Sequence, residues 1–312
     1  MARYIFRRIL MLMPILLAVS FAVFFLLSIT PGDPATIALG EGASAEAIAL
    51  KRAELNLDKP FALRYLIWLK NLVFHFDLGN TYSTGIPVTF QLLNSIKLTL
   101  KLASIALCVA VLIGVPMGIV AAVRQYSLAD NIVTFLSMIG ISMPIFWLGL
   151  LLIILFAVQL GWLPSSSSSL SSFRECILPA VTMSVQSVAI LARMTRSSML
   201  EIVRQDYIRT VRAKGLSEWG VTIYHALKNA SLPILTTIGS QLGALLGGAV
   251  MCETIFSIPG VGRLMIMAIK SRDYPLVLGG VLFVAIMVAV VNLIVDILYA
   301  AVDPRIKSQY RK

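Results

Sequence analysis

Long apolar runs alternate with polar connections along the whole chain. Charge-free runs occupy Ile9–Thr30, Leu102–Val123, Asn131–Leu160, Leu232–Cys252 and Pro275–Val295. A helix that crosses a membrane needs about 20 consecutive apolar residues, because the hydrocarbon layer is about 30 Å thick. All five runs reach that length. A shorter one, Cys176–Ala192, is bounded by Arg174, Glu175 and Arg193 and diluted by Gln186 and several Ser and Thr residues. It reads as the weakest of six spans. Asn131–Leu160 is long enough to cross as one tilted helix or to extend past the bilayer. The pattern therefore predicts an all-α membrane protein with six transmembrane helices.

The connections carry structure of their own. Pro31–Ser95 is the longest, and "SAEAIALKRAELNL" (Ser44–Leu57) begins with a Ser suited to an N-cap and reads as an amphipathic helix. "FALRYLIWLKNLVFHF" (Phe61–Phe76) is a second, rich in aromatic residues, expected on the membrane surface or against other spans. "GWLPSSSSSLSS" (Gly161–Ser172) reads as a short loop, made flexible by its serines. Lys97 and Lys101 flank the second span and are expected to snorkel outward. Division follows: residues 1–30 as a first helix, 31–95 as an extracytoplasmic segment, and 96–312 as a core of five further helices with a loop over 193–231.

Composition agrees with this pattern. The 312 residues are 58% hydrophobic and 13% charged, with a mean hydropathy of +0.89. Soluble domains sit near half apolar and a quarter charged. The net charge of +11 could indicate a nucleic-acid partner, but its placement argues against one. With the N-terminus inside, the inner connections receive Arg3, Arg7, Arg8, Arg124, the cluster from Arg193 to Lys228, and Arg305, Lys307, Arg311 and Lys312. The outer Pro31–Ser95 segment holds Lys51, Arg52, Lys59, Arg64 and Lys70 against six carboxylates. That asymmetry predicts cytoplasmic termini and accounts for the basic pI by topology and anionic lipid. Three arginines before an apolar run resemble a signal peptide. The run is too long, though, and "TPGDPA" follows where a small-x-small cleavage site belongs, so an uncleaved first span is expected.

Chemistry is sparse. Cys108, Cys176 and Cys252 show no C-x-x-C spacing and read as small buried apolar residues. The histidines are His75 and His225, and a metal ligand or proton relay is expected at neither. No Gly-Lys dipeptide, H-E-x-x-H or G-x-S-x-G occurs, so a phosphate-cradling loop and the common hydrolase motifs are absent from the sequence. Glu253 and Asp296 lie near span ends, where each could face a translocation path or pair with a neighbour. "GSQLGALLGG" offers Gly239, Gly243, Gly247 and Gly248 for close helix packing, most simply against a second subunit.

One polar stretch stands out between spans four and five: "RQDYIRTVRAKGLSEWGVTIYHALKNASLP", Arg204–Pro233. Arg204–Lys214 reads as a helix, Gly215 as its left-handed stop, and Ser217 as the cap of a second helix. Trp219, Ile223 and Leu227 fall at i, i+4 and i+8 and predict an apolar stripe, with Thr222, His225 and Asn229 facing away. A basic anchor that merely fixes topology is one reading. A compact docking projection is the other, favoured by the helical order, the glycine corner and a tryptophan of the type usually buried.

The stretch "DYIRTVRAKGLS…HALKNASLP" resembles the cytoplasmic loop of ABC importer permeases, specifically the dipeptide/oligopeptide/nickel branch. "TPGDPA" (Thr30–Ala35), "DLGNTY" (Asp77–Tyr82), "PGVGR" (Pro259–Arg263), "RDYP" (Arg272–Pro275) and "DPR" (Asp303–Arg305) are similar to the same branch, so the resemblance covers nearly the whole chain. The family's Glu-Ala-Ala positions hold Arg209, Thr210 and Val211, and Lys228 stands at its usual proline. The resemblance implies a type I ABC importer permease fold in the bacterial inner membrane. It implies that Ala213, Lys214, Gly215, Leu216, Ser217, Glu218, Trp219 and Gly220 form the helix that couples to an ATPase. It also implies a homologous second permease subunit, two ABC ATPase subunits and an extracytoplasmic substrate-binding protein as partners, with no cofactor, metal or catalytic residue in this chain. The implied cargo is a di- or oligopeptide, with nickel, a metal chelate or glutathione as alternatives. A secondary transporter or channel is the reading from a different class, and the lack of a strong internal repeat weighs against it.

Overall fold

Where the chain is apolar it is helical, because backbone polar groups in hydrocarbon must be satisfied within the segment. The computed structural model describes residues 2–40 and 42–302, with side chains for 10–40 and 42–295. The Asp303–Arg305 motif, the basic tail and the side chains of Arg3, Arg7, Arg8 and Asp296 lie outside the described residues. Helices α1 (Ala2–Ile29), α5 (Val88–Val123), α8 (Phe173–Val203) and α13 (Tyr274–Val302) are long. A fifth long helix runs over Glu218–Ile255 and includes α11 (Lys228–Ile255). Shorter helices are α2 (Pro34–Leu39), α3 (Ala45–Glu54), α4 (Phe61–His75), α9 (Asp206–Ala213) and α12 (Val261–Lys270).

The expected third span is not one helix. Helix α6 (Leu128–Ser142) and α7 (Ile145–Leu152), which continues as a wide π-helical turn over Ile153–Gln159, meet at a bend of 103°. Pro144 cannot continue the helix, and it pushes Met143 into an extended conformation with ψ 121°. Among the described residues five helices are long and apolar enough to cross a membrane, or six if this bent pair is one span.

The chain divides into two compact units. One comprises Leu100–Ile258 with the C-terminal stretch from Val290; the other comprises Ala2–Thr99 and Pro259–Ala289. In the first, α8 is the most enclosed helix. A methyl on Gly114 would sit 2.7 Å from the Val188 carbonyl oxygen, and one on Gly140 3.1 Å from Cβ of Ala189, so α5 and α6 both pack tightly on it. That burial explains the polar dilution of its sequence. Thr182 and Ser184 donate back to the carbonyls of Leu178 and Val181, and Ser187 donates to Gln241 on α11 at 2.8 Å. The hydroxyls are internal glue rather than lipid-facing residues.

The serine loop is not loose. Ser167 is buried, its backbone N–H donates to the Phe256 carbonyl at 2.8 Å, and its hydroxyl donates to Glu175. Lys101 does not reach outward but donates to the Leu170 carbonyl at 2.8 Å. These contacts satisfy backbone groups that a free loop would leave to water. Cys176 and Cys252 are buried, while Cys108 is exposed on the helix surface, contrary to expectation.

In the second unit α4 packs on α1 through interlocking aromatic rings. Phe21 meets Phe61 and Tyr65 edge-on at centroid distances of 5.8 and 5.4 Å, and Phe24 reaches both rings and Trp68. The Ser20 and Tyr65 hydroxyls lie 2.9 Å apart. Ser44 caps α3 as expected, accepting from the Ala47 N–H. Two separate sequence motifs also meet here: the Tyr82 and Tyr274 rings lie 6.3 Å apart, and Asp273 accepts from both the backbone N–H and the hydroxyl of Ser83, the residue after Asp77–Tyr82, at 3.2 Å.

Candidate functional site

The polar stretch between α8 and α11 forms an ordered projection. Helix α8 ends at Val203, and Gln205 is extended with ψ 147°, so the expected helix from Arg204 begins only at Asp206. Arg204 instead reaches Gln125 at 3.4 Å, toward the turn that follows α5. Helix α9 then stops at a corner. Gly215 has φ +79°, and its N–H donates to the Arg212 carbonyl at 2.9 Å. Ser217 caps the next helix, accepting from the Gly220 N–H at 3.2 Å. Arg212 clamps the corner with two bonds to Glu218, 2.9 and 3.3 Å.

The projection has a dry root. Ile208 of α9, with Val221, Ala226, Ala230 and Ile234 of the following helix, packs against Ala122 and Met199 of α5 and α8. Ile208 is fully buried. Burying such a side chain contributes about 2 kcal/mol, so the root holds the corner against two long helices. Its tip is bare. Residues 213–219 are all exposed and Gly220 is half-buried. Within the tip Leu216 is 42% and Trp219 71% exposed, and Tyr224 beside it is 72% exposed.

This reverses part of the sequence reading. Trp219 belongs to the exposed tip, and the buried line is Val221, Thr222, Ala226 and Ala230, with Ile223 and Leu227 half-buried. Thr222, expected to face away, is inside. The helical wheel assumed 3.6 residues per turn, whereas Val221–Leu227 is a π turn with i→i+5 bonds that changes which residues share a face. Trp219 lies in the first turn, at the tip and ahead of the buried line. His225 is half-buried, and its carbonyl accepts from Asn229, which also donates to the Tyr207 hydroxyl.

A buried ion pair near this root was missed. Arg196 of α8 donates to both carboxylate oxygens of Asp130, at 2.5 and 2.8 Å, and the Asp130 side chain is only 3% exposed. Asp130 also accepts from the Tyr126 N–H at 2.9 Å. The spacing Ser127-x-x-Asp130 signals a helix start, and the Ser127 hydroxyl does accept from the Asp130 N–H at 3.4 Å. Nothing local points to Arg196, 66 residues away.

The glycine-rich line on α11 is divided. Gly239 is buried, a methyl on Gly243 would meet Asn292 at 3.6 Å, and one on Gly248 would meet Ile145 at 3.9 Å. Gly247 has open space around it, and Ser240 and Ala244 are exposed on the same line. Glu253 is fully buried, with its carbonyl accepting from the Ile258 N–H at 2.8 Å. Among the described residues no group of three or more His, Cys, Asp or Glu could hold a metal ion, and His75 is exposed on α4.

Comparison with known proteins gives concordant matches. The family model described as binding-protein-dependent transport system inner membrane component matches residues 114–308, and that of the N-terminal part of such membrane components matches residues 1–103. The chain is 42% identical to the dipeptide transport system permease protein DppB of Escherichia coli, covering 99% of this chain and 100% of the relative. It is also 42% identical to the protein of the same name from Alkalihalophilus pseudofirmus, covering 98% and 100%. Among solved structures it is similar to an inward-facing form of the MetNI methionine ABC transporter, with a TM-score of 0.56 and 20% identity over 69% of this chain and 97% of that one. That likeness concerns the fold.

Proposed function

We infer that this chain, which belongs to the family of binding-protein-dependent transport system inner membrane components, is the permease subunit of a bacterial ATP-binding-cassette importer for di- or oligopeptides. It is a multi-pass protein of the bacterial inner membrane, of the dipeptide/oligopeptide branch. Full-length similarity to two dipeptide permeases supports the peptide cargo over nickel, a metal chelate or glutathione. The chain works with ATPase and substrate-binding partners. In the fuller reading it pairs with a homologous permease, two ATPase subunits and an extracytoplasmic binding protein, and it has six spans, with α6 and α7 counted as one, and both termini in the cytoplasm. The parts are then 1–30, 31–95 and 96–312, with the coupling loop over 193–231. Gly247 and its neighbours on α11 would meet the second permease; Gly239, Gly243, Gly248 and Glu253 would back that face from inside the subunit.

The coupling role rests chiefly on one observation: a bare apolar tip on a rigid, buried root. Leu216 and Trp219 stand exposed within a run of seven exposed residues, apolar surface of the kind that a partner covers. A root packed on α5 and α8 transmits a push from that partner to the spans instead of absorbing it. The chain itself carries no phosphate-cradling loop, so ATP hydrolysis falls to the partner chains.

Two measurements test this. ATPase subunits should co-purify with the chain, and the reconstituted complex with its binding protein should take up labelled dipeptide only with ATP. The chain alone in liposomes should neither bind nor hydrolyse ATP. Peptide uptake by the chain alone on an ion gradient would overturn the importer reading in favour of a secondary carrier. For orientation, a cysteine at the exposed Ser165 should react with an impermeant maleimide from outside intact cells, and one at Ser217 should not, with the parent chain as blank. Labelling of position 217 from outside would reverse the topology.

A further inference from the structure

Helix α8, although the most enclosed, keeps one open line. Gln186 and Ile190 are half-buried and Arg193, Ser197 and Glu201 are exposed, at spacings of three and four residues that put them on one face. The neighbouring α6 exposes Ile132, Phe135 and Leu136, the residue types that lipid accepts. Polar and ionisable groups within a span are costly against hydrocarbon and face water or another polar surface instead. The open line of α8 is therefore suited to a watery path and not to acyl chains.

That line borders a cleft of about 620 Å³ between α6 and α8, within the size range of small-molecule sites. Met138 and Ile141 of α6 and Ile190 and Met194 of α8 are its apolar walls. Its polar lining is Thr134, Arg193, Arg196 and Ser197, with no carboxylate and no side-chain amide. Arg196 gives two of its N–H groups to Asp130, and the Thr134 hydroxyl bonds the same carboxylate. Arg193 is exposed, and among the described residues nothing pairs with it.

An accessible guanidinium with no acceptor around it selects an anion, and the apolar walls select an anion with an apolar body. A peptide's terminal carboxylate and side chains have that form. Arg193 directly follows the apolar run Cys176–Ala192, at the coupling-loop end of the span. Glu201 lies on the same line eight residues further on, about 12 Å along the helix, and offers the opposite charge to an ammonium. An extended peptide advances about 3.5 Å per residue, so a dipeptide meets the two charges in turn and a tetrapeptide meets both at once. The phosphodiester of an anionic phospholipid would meet Glu201 with repulsion. We propose that the cleft between α6 and α8 is the inner section of the peptide path and that Arg193 takes the cargo's terminal carboxylate there. This rests on the peptide-importer reading, and it assigns the path to α8 instead of to Glu253, which is fully buried.

The test uses the assembled permease–ATPase complex in detergent without binding protein, so that any selection is the permease's own. The probe is alanyl-p-benzoylphenylalanine, whose benzophenone inserts into nearby C–H bonds under light. Crosslinks should map to peptides containing Met138 or Met194. Arg193→Gln should lower their yield about tenfold, the loss expected for charge-assisted hydrogen bonds, and Arg193→Lys should retain most of it. Alanylphenylalanine should compete, and its C-terminal amide should not. Equal yield in Arg193→Gln, equal competition by the amide, or competition by dioleoylphosphatidylglycerol but not by alanylphenylalanine would each overturn the assignment. Should Arg193→Gln fail to assemble, Ser197→Trp, which fills the cleft and leaves both arginines, must lower the yield as far, or the site is rejected. ATP-driven uptake of labelled alanylphenylalanine by the parent complex with its binding protein reports on the importer reading separately. Uptake with crosslinks indifferent to Arg193 rejects the site alone; no uptake rejects the reading beneath it.

Discussion

Substitution of Gly215 by valine is expected to abolish coupled uptake while leaving the chain at normal abundance in the membrane. Gly215 sits at φ +79° with nothing within 4 Å of where a Cβ would be. Space is therefore not the obstacle; the backbone is. A β-branched residue held in the left-handed region costs about 1–3 kcal/mol, and the corner can escape that cost by shifting to negative φ. The shift breaks the geometry that lets Arg212 clasp Glu218 and re-aims Leu216 and Trp219, the apolar part of the tip. The spans are fixed by apolar length and the root by Ile208 and its neighbours, so insertion and folding survive. Uptake and substrate-stimulated ATPase activity, measured beside membrane abundance, decide the matter. A topology anchor would tolerate the change, because every charge remains. Full uptake at normal abundance would reduce this stretch to a loop.

Arg196→Met should have the largest effect on stability. The substitution keeps the length of the stem and strands the Asp130 carboxylate, whose side chain is 3% exposed, with the Tyr126 N–H and the Thr134 hydroxyl as neutral donors and no counter-charge. Breaking a buried pair on one side costs about 3 kcal/mol, which in a chain of this size lowers Tm by roughly 6 °C. The cost lies in the orphaned charge more than in the lost attraction. Adding Asp130→Asn to Arg196→Met should therefore recover more than half of the loss. A single variant as stable as the parent, or a double variant less stable than the single, would show that the pair does not pin the turn after α5 to α8. Met199, one turn further along α8, belongs to the root of the projection, so the single variant should also weaken coupling in the molecules that remain folded.

Much of this architecture is one-dimensional information. Span positions follow from runs such as Leu102–Val123 and Pro275–Val295, because the bilayer sets a length and the sequence either supplies it or does not. The Gly215 corner and the Ser44 and Ser217 caps are equally local, since each depends on one residue's backbone freedom or one hydroxyl three residues from its partner. Membership of the permease family was legible for the same reason: its motifs are short and contiguous. The bend at Pro144 was also local, yet the apolar run concealed it, since hydropathy is blind to a missing backbone N–H.

What only the tertiary structure decided depends on rotation and on distance along the chain. A π turn over Val221–Leu227 changes which residues are buried, so Thr222 turns inward while Trp219 stays in the bare tip. The sequence offered no signal for it, because an amphipathic pattern carries no record of the helical pitch that will display it. Asp130 and Arg196 become partners, and residues of the Asp77–Tyr82 and Arg272–Pro275 motifs line one cavity in the second unit, because helices far apart in sequence pack side by side. Hydrophobic length tells each helix to enter the membrane; it does not tell the helix which neighbour to face, and that choice belongs to the packing.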